Sequence, residues 1–277
     1  MQKYPMRNKT LELCCYICGA GAFGVFFRWL QDQMAFNEQG LADRSALHVL
    51  VPMYLIIVAI VFIRMVDKMR NQRFFLPTEI NEALHHEGKL FSIVRWAAGV
   101  IMILGGLLVF ATCEVETEAS MLRILSLLAV LSGISYPLLL AEATSEAPRP
   151  RRLCWFAVMP VLLFAFWLVT SYKINSINSI VWAYAIEIIA LVIAMLAFFR
   201  MAGFAFGAPN TWRCLFLSMY GGSICIMAIA DSRNIGLQLI LLGAAVMLVL
   251  YNWIMLQNVQ RKDAPIRYQP SDGFERL

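Results

Sequence analysis

NSIVWAYAIEIIALVIAMLAFFR, Asn178 to Arg200, is an apolar run with a single carboxylate, Glu187, near its middle. About 20 apolar residues at ~1.5 Å per residue cross a hydrocarbon core, so Ser179 to Phe199 reads as a transmembrane helix bounded by Asn178 and Arg200. An acidic residue at mid-span costs about 2.5–3.5 kcal/mol on insertion, which the surrounding Ile, Leu, Val and Phe side chains outweigh; it still disfavours lipid contact. At ~100° per residue Glu187 shares a stripe with Ile180, Ala183, Ala190, Ala194 and Phe198, while Ile189, Val192, Ile193 and Leu196 lie opposite. Small residues mark helix contacts in membranes. The stripe is therefore expected to face a bundle interior, with Glu187 neutral and hydrogen-bonded there.

The rest of the chain has the same character. It is 277 residues long, 60% hydrophobic and only 15% charged, which excludes a soluble globular domain. Apolar runs of spanning length fall at 11–30, 47–66, 93–112, 121–140, 154–172, 179–199, 212–230 and 235–256. The expected fold is an all-α, polytopic integral membrane helix bundle of about eight transmembrane helices, a single transmembrane domain over 1–277.

Basic residues set the orientation. With the N-terminus inside, 18 of the 23 Lys and Arg residues lie in inner segments, and the outside keeps only Arg28, Arg44, Arg123, Lys173 and Arg233. The acidic CEVETEAS turn, 113–120, falls outside with them. Both termini are thus expected in the cytoplasm, and the membrane is read as a plasma membrane of the bacterial cytoplasmic type. The net charge of +5 is a topology signal and gives no reason to expect nucleic-acid binding.

The first span begins with a basic segment like that of a signal peptide, but its apolar part continues to full spanning length and reads as a signal anchor. Cys14, Cys15 and Cys18 include a CxxC spacing, yet buried thiols in an apolar helix behave as small hydrophobes. Gly19, Gly21 and Gly24 offer a surface for close helix packing. Arg28 and Trp29 read as interfacial anchors, with Arg28 able to pair with Asp32 four residues on.

The longest inner connection, 67–92, is expected to hold a short interfacial helix near Thr78 to Glu87, opened by Pro77 and Thr78 and closed by Gly88. Phe74, Phe75, Leu76, Ile80 and Leu84 would lie at the membrane surface, with basic side chains towards anionic lipid headgroups. His85 and His86 point about 100° apart and make a poor chelate, so no metal is expected. The third histidine, His48, leaves no imidazole pair within the membrane for haem, and no cofactor is expected. The segment 257–277 reads as a mobile cytoplasmic tail.

In the fourth span, Ser132, Gly133, Ser135, Tyr136 and Pro137 are expected to interrupt the helix and free backbone carbonyls. Glycine pairs at 105–106 and 221–222, with Tyr136 and Tyr251 late in the following helices, make spans three and four faintly similar to seven and eight.

No HExxH, GxSxG, P-loop or histidine-rich catalytic cluster occurs, and an enzyme is not expected. One reading is a small-solute permease or carrier with Glu187 as the titrating group and Tyr184, Tyr136, Ser132 and Ser223 as candidate substrate or ion-binding partners between the fourth, sixth and seventh spans. The alternative is a non-catalytic membrane subunit, sensor or scaffold for a cytoplasmic or membrane partner. The orientation is testable by thiol labelling: a cysteine introduced at Glu116 should react with an impermeant reagent outside and one at Arg151 should not, and the reverse pattern overturns the topology.

Overall fold

Every backbone N–H and C=O in a bilayer needs an internal partner, and long helices meet that need within one segment. The computed structural model describes residues 7–34, 49–71, 74–75, 77–86, 88–113, 119–145, 149–175, 184–231 and 234–261. Among the described residues the long helices are α1 (Arg7–Met34), α2 (Leu50–Asn71), α4 (Lys89–Thr112), α5 (Ala119–Ala143), α6 (Pro150–Asn175), α7 (Ala185–Ala205), α8 (Thr211–Ala228) and α9 (Ile235–Gln257). A single turn, α3 (Ile80–Ala83), and two short strands, β1 (Phe74–Phe75) and β2 (Gln260–Arg261), complete the set. Seven of these helices are long and apolar enough to cross a membrane; α8 is not among them. Its Trp212, Arg213, Tyr220 and glycine pair dilute its hydropathy, and it tolerates them because α1, α2, α7 and α9 all pack around it. The protein is a polytopic helical membrane bundle.

Helices α4, α5, α6, α7, α8 and α9 pack each on the next, and α9 returns to α4 to close a ring. Outside the ring, α1 lies on α8 and α9, and α2 lies on α1 and α8. Tyrosines fasten α2: Tyr54 donates to the Ala20 carbonyl of α1, and Leu55 of α2 accepts from Tyr220 of α8 at 3.1 Å. Burial follows this arrangement, since 72% of the α9 span is inside the bundle against 28% of α2.

Two faces result. The start of α4 and the ends of α2 and α9 meet on one, here called the basic face, where β1 pairs antiparallel with β2 and Asn258 donates to the carbonyls of Ala83 (2.9 Å) and His85 (2.8 Å). On the opposite face the end of α4 meets the start of α9, with Asn234 donating to Thr112 at 3.0 Å. The Asn234 side chain also caps α9 by accepting from the Gly236 amide.

Several sequence expectations change. The fourth span is not interrupted: α5 runs unbroken through a buried Pro137. Proline lacks the N–H that would bond the carbonyl four residues back, that of Gly133, and this carbonyl instead packs on Gly99 of α4. The sixth span is displaced by six residues, Ala185–Ala205 in place of Ser179–Phe199. Arg200 does not end it, because its long side chain folds back over the Phe199 ring, 5.9 Å from the centroid. Gly207, at φ +71°, ends it instead, with Ala208 N–H bonded to the Gly203 carbonyl at 2.8 Å and Gly207 N–H to Phe204 at 3.4 Å.

The inner loop differs too. Its helix is the single turn α3, and Gly88 (φ 126°) starts α4 rather than closing α3. Ala83 and Leu84 are buried, so this part of the loop packs onto the end of α9, where Asn258 bonds to it. Glu87, His48, Asp32's side chain and residues 262–277 lie outside the described residues. Of the two glycine pairs, the first meets backbone and the second does not, but Tyr136 and Tyr251 do meet, edge to face at 5.0 Å.

Ring closure depends on α4. A Cβ on Gly99 would sit 2.5 Å from the Gly133 carbonyl oxygen of α5, and one on Gly105 would sit 2.8 Å from that of Gly236 in α9. Gly99→Ala should therefore destabilise the protein by about 1–3 kcal/mol, the scale of overpacking. Gly19→Ala, where a Cβ meets nothing within 4 Å, should be neutral or stabilising by up to about 1 kcal/mol. Thermal unfolding of the purified variants in detergent measures the contrast; equal melting temperatures would refute the close packing.

Candidate functional site

Because α7 starts at Ala185, Glu187 lies in its first turn, near the opposite face and not at mid-span. This corrects the depth expected for it, and the argument for a neutral carboxyl at mid-span goes with that depth. Glu187 is half-buried, and its Oε1 accepts from Trp167 Nε1 of α6 at 3.0 Å. Trp167 is only 2% exposed, so this bond satisfies an indole N–H that water does not reach and ties the neighbouring ends of α6 and α7.

The face on which Glu187 was placed is right. Ala190, Ala194 and Phe198 are buried, whereas Ile189 and Leu196 are exposed. Below Trp167 that face joins a run of rings inside the bundle. Phe164 stacks on Trp167 (6.1 Å between centroids) and on Phe198 (5.4 Å); Phe198 meets Tyr251 at 6.4 Å, and Tyr251 meets Tyr136 at 5.0 Å. These rings come from α5, α6, α7 and α9 and fill the interior from the Glu187 end towards the basic face.

The remaining candidates do not converge on one point. Tyr184 is the residue before α7, and Tyr136 donates to the Met247 carbonyl of α9 at 3.0 Å. Ser132 lies one turn from Tyr136 on α5, fully buried, and its Oγ meets no hydrogen-bond partner among the described residues. Ser223 donates to the Tyr220 carbonyl of its own helix at 2.8 Å. Deeper in the core, Ser218 donates to Asn252 Oδ1 at 3.0 Å while Asn252 Nδ2 donates to the Leu248 carbonyl at 2.9 Å, a polar pair joining α8 and α9.

A buried ion pair among the described residues changes the reading of Arg28. Arg28 is not an interfacial anchor. Its Nε lies 2.5 Å from Asp231 Oδ1, with the two side chains 4% and 3% exposed, and its Nη1 donates to Gln31 Oε1 at 2.7 Å. This buried cluster joins the end of α1 to the turn after α8. A signal was present: Arg28 sits among Phe26, Phe27, Trp29 and Leu30, and a charge in an apolar helix calls for a partner at equal depth. The local candidate, Asp32, hid the distant one.

At the basic face, His86 Nδ1 lies 3.1 Å from the Leu84 carbonyl and Nε2 lies 3.4 Å from Arg95 Nη1. Burial pulls the His86 imidazole below its ordinary pKa, outweighing the opposing hydrogen bond to Leu84. A neutral ring donating from Nδ1 leaves Nε2 as acceptor for Arg95. No group of His, Cys, Asp and Glu able to hold a metal occurs among the described residues. Comparison with protein-family models, with curated proteins and with solved structures finds no match to this chain.

Removing one member of a buried ion pair takes from the other its compensating charge. Arg28→Met or Asp231→Leu should each cost about 3–5 kcal/mol, and the two combined should cost clearly less than their sum. Equilibrium unfolding in mixed micelles provides the double-mutant cycle, and strictly additive losses would show that the two charges are not coupled.

Proposed function

We propose that this multi-pass membrane protein is a non-catalytic subunit or scaffold of a plasma membrane, its basic face turned to the cytoplasm for a protein partner or anionic headgroups. The observation that carries this reading is the interior run of Trp167, Phe164, Phe198, Tyr251 and Tyr136, which packs rings of α5, α6, α7 and α9 against one another where the carrier reading needs an open pathway beside α5 and α7. Glu187, the titrating group of the carrier reading, bonds to Trp167 at a helix end and serves here as a structural acceptor. Bonds such as Tyr220 to Leu55 and Ser218 to Asn252 likewise hold helix to helix.

The carrier reading makes a different demand on α8, whose Cys214 and Cys225 are fully buried. A carrier exposes its interior alternately to the two sides, so prolonged treatment with a small water-soluble thiol reagent would modify buried cysteines along its path. A closed scaffold should leave both unmodified in proteoliposomes, as read by peptide mass spectrometry, while exposed Cys15 and Cys18 serve as controls for bilayer penetration. Glu187→Gln should leave this pattern unchanged, because the amide oxygen still accepts from Trp167. Modification of Cys214 or Cys225 at rates near those of a denatured control would favour the carrier.

A further inference from the structure

One cavity on the flank of the bundle has a shape that neither reading uses. It has a volume of about 390 Å³ and lies between α1, α4 and α9, lined among others by Cys18, Leu90, Phe91, Leu242, Ala245 and Trp253. Its floor is buried, with Ala245 at 1% exposure, while Leu90, Leu242 and Cys18 on the rim are exposed. The cavity therefore opens sideways from helices that are each long and apolar enough to cross a membrane. What surrounds that opening in a bilayer is hydrocarbon.

We infer that this groove binds one acyl chain of a bilayer phospholipid, with the phosphate at the Lys89 end. From Leu242 to Trp253 along α9 is eleven residues, so the groove is about 16 Å long at ~1.5 Å per residue, an elongated slot that suits an extended chain. The volume is also within the range of ligand sites, about 300–1,000 Å³. Charge marks which end holds the headgroup. Lys89, exposed, directly precedes Leu90 on α4, and Arg95 lies on the same helix at the basic face, while Trp253 supplies the amphipathic ring found at headgroup level. Bulk lipid is as apolar as the groove, so transfer from water provides no preference; retention comes from contact with a rigid wall and from the phosphate near Lys89.

The test uses the full chain in nanodiscs of mixed phosphatidylglycerol and phosphatidylcholine, extracted into mild detergent and weighed by native mass spectrometry. Wild type should retain about one phospholipid per chain. Ala245→Phe, which fills the floor, and Leu242→Trp, which closes the rim from the lipid side, should each lower retention at least fivefold, and Lys89→Glu should shift what remains from the anionic to the zwitterionic lipid. Equal retention in wild type and both filled variants would mean annular lipid only and overturn the site, as would a retained mass matching a free fatty acid or a second polypeptide. Should either variant melt early, chain-brominated phosphatidylglycerol decides. It should quench a fluorescence component that is present in wild type and lost in Trp253→Phe, and identical quenching in the two proteins would overturn the proposal.

Discussion

The approach of α4 to its neighbours is the constraint on which this structure depends. In water, burial of apolar surface draws helices together; in hydrocarbon it does not, and association relies on van der Waals contact and interhelical hydrogen bonds. Gly99 meets Gly133 on one side of α4, and Gly105 meets Gly236 on the other, so α4 lies backbone to backbone against both α5 and α9. Pro137 adds to the first contact by freeing the Gly133 carbonyl that rests on Gly99. A residue that would weaken an isolated helix thus supplies a polar surface for the next one.

Hydrogen bonds supply the rest, and most come from large side chains reaching across helices. Tyr136 bonds to a carbonyl of α9, Tyr220 to one of α2, Trp167 to Glu187 of α7 and Ser218 to Asn252. Each leaves its ring or methylene packed in the interior and its polar atom satisfied. The aromatic run between α5, α6, α7 and α9 follows from this use of amphipathic side chains, which fill the space while they tie the walls. Arg28 and Asp231 extend the principle to full charges, where the alternative to pairing is a buried ion with none of its hydration.

The helices and their faces were legible because both depend on local composition and on the 3.6-residue repeat. Ala190, Ala194 and Phe198 are buried as the stripe requires. The register of α7 was not legible in the same way. The runs 179–199 and 185–205 are both apolar, and choosing between them requires knowing whether Arg200 or Gly207 ends the helix. Gly207 followed by Pro209 is the stronger stop, since a long cationic side chain can fold along a helix whereas a positive φ ends one. The Arg28–Asp231 pair was less accessible still, because nothing local connects the end of α1 with the turn after α8. The α3 loop was misjudged for a related reason. Its apolar residues suit a membrane surface or a helix end equally, and Asn258, far along the chain, decides for the second.

The contact between Gly105 and Gly236 has a consequence for how the protein is made. The two walls it joins are far apart in the sequence, and α9 leaves the ribosome after α4 to α8. Until then α4 has α5 beside it but no partner for its second glycine surface, and the ring from α4 to α8 remains open along one seam within the bilayer. Arg28 likewise waits for Asp231, which follows α8. The most distant of these contacts therefore wait for α9, whose insertion seals the seam, brings β2 to β1 and places Asn258 against the α3 loop.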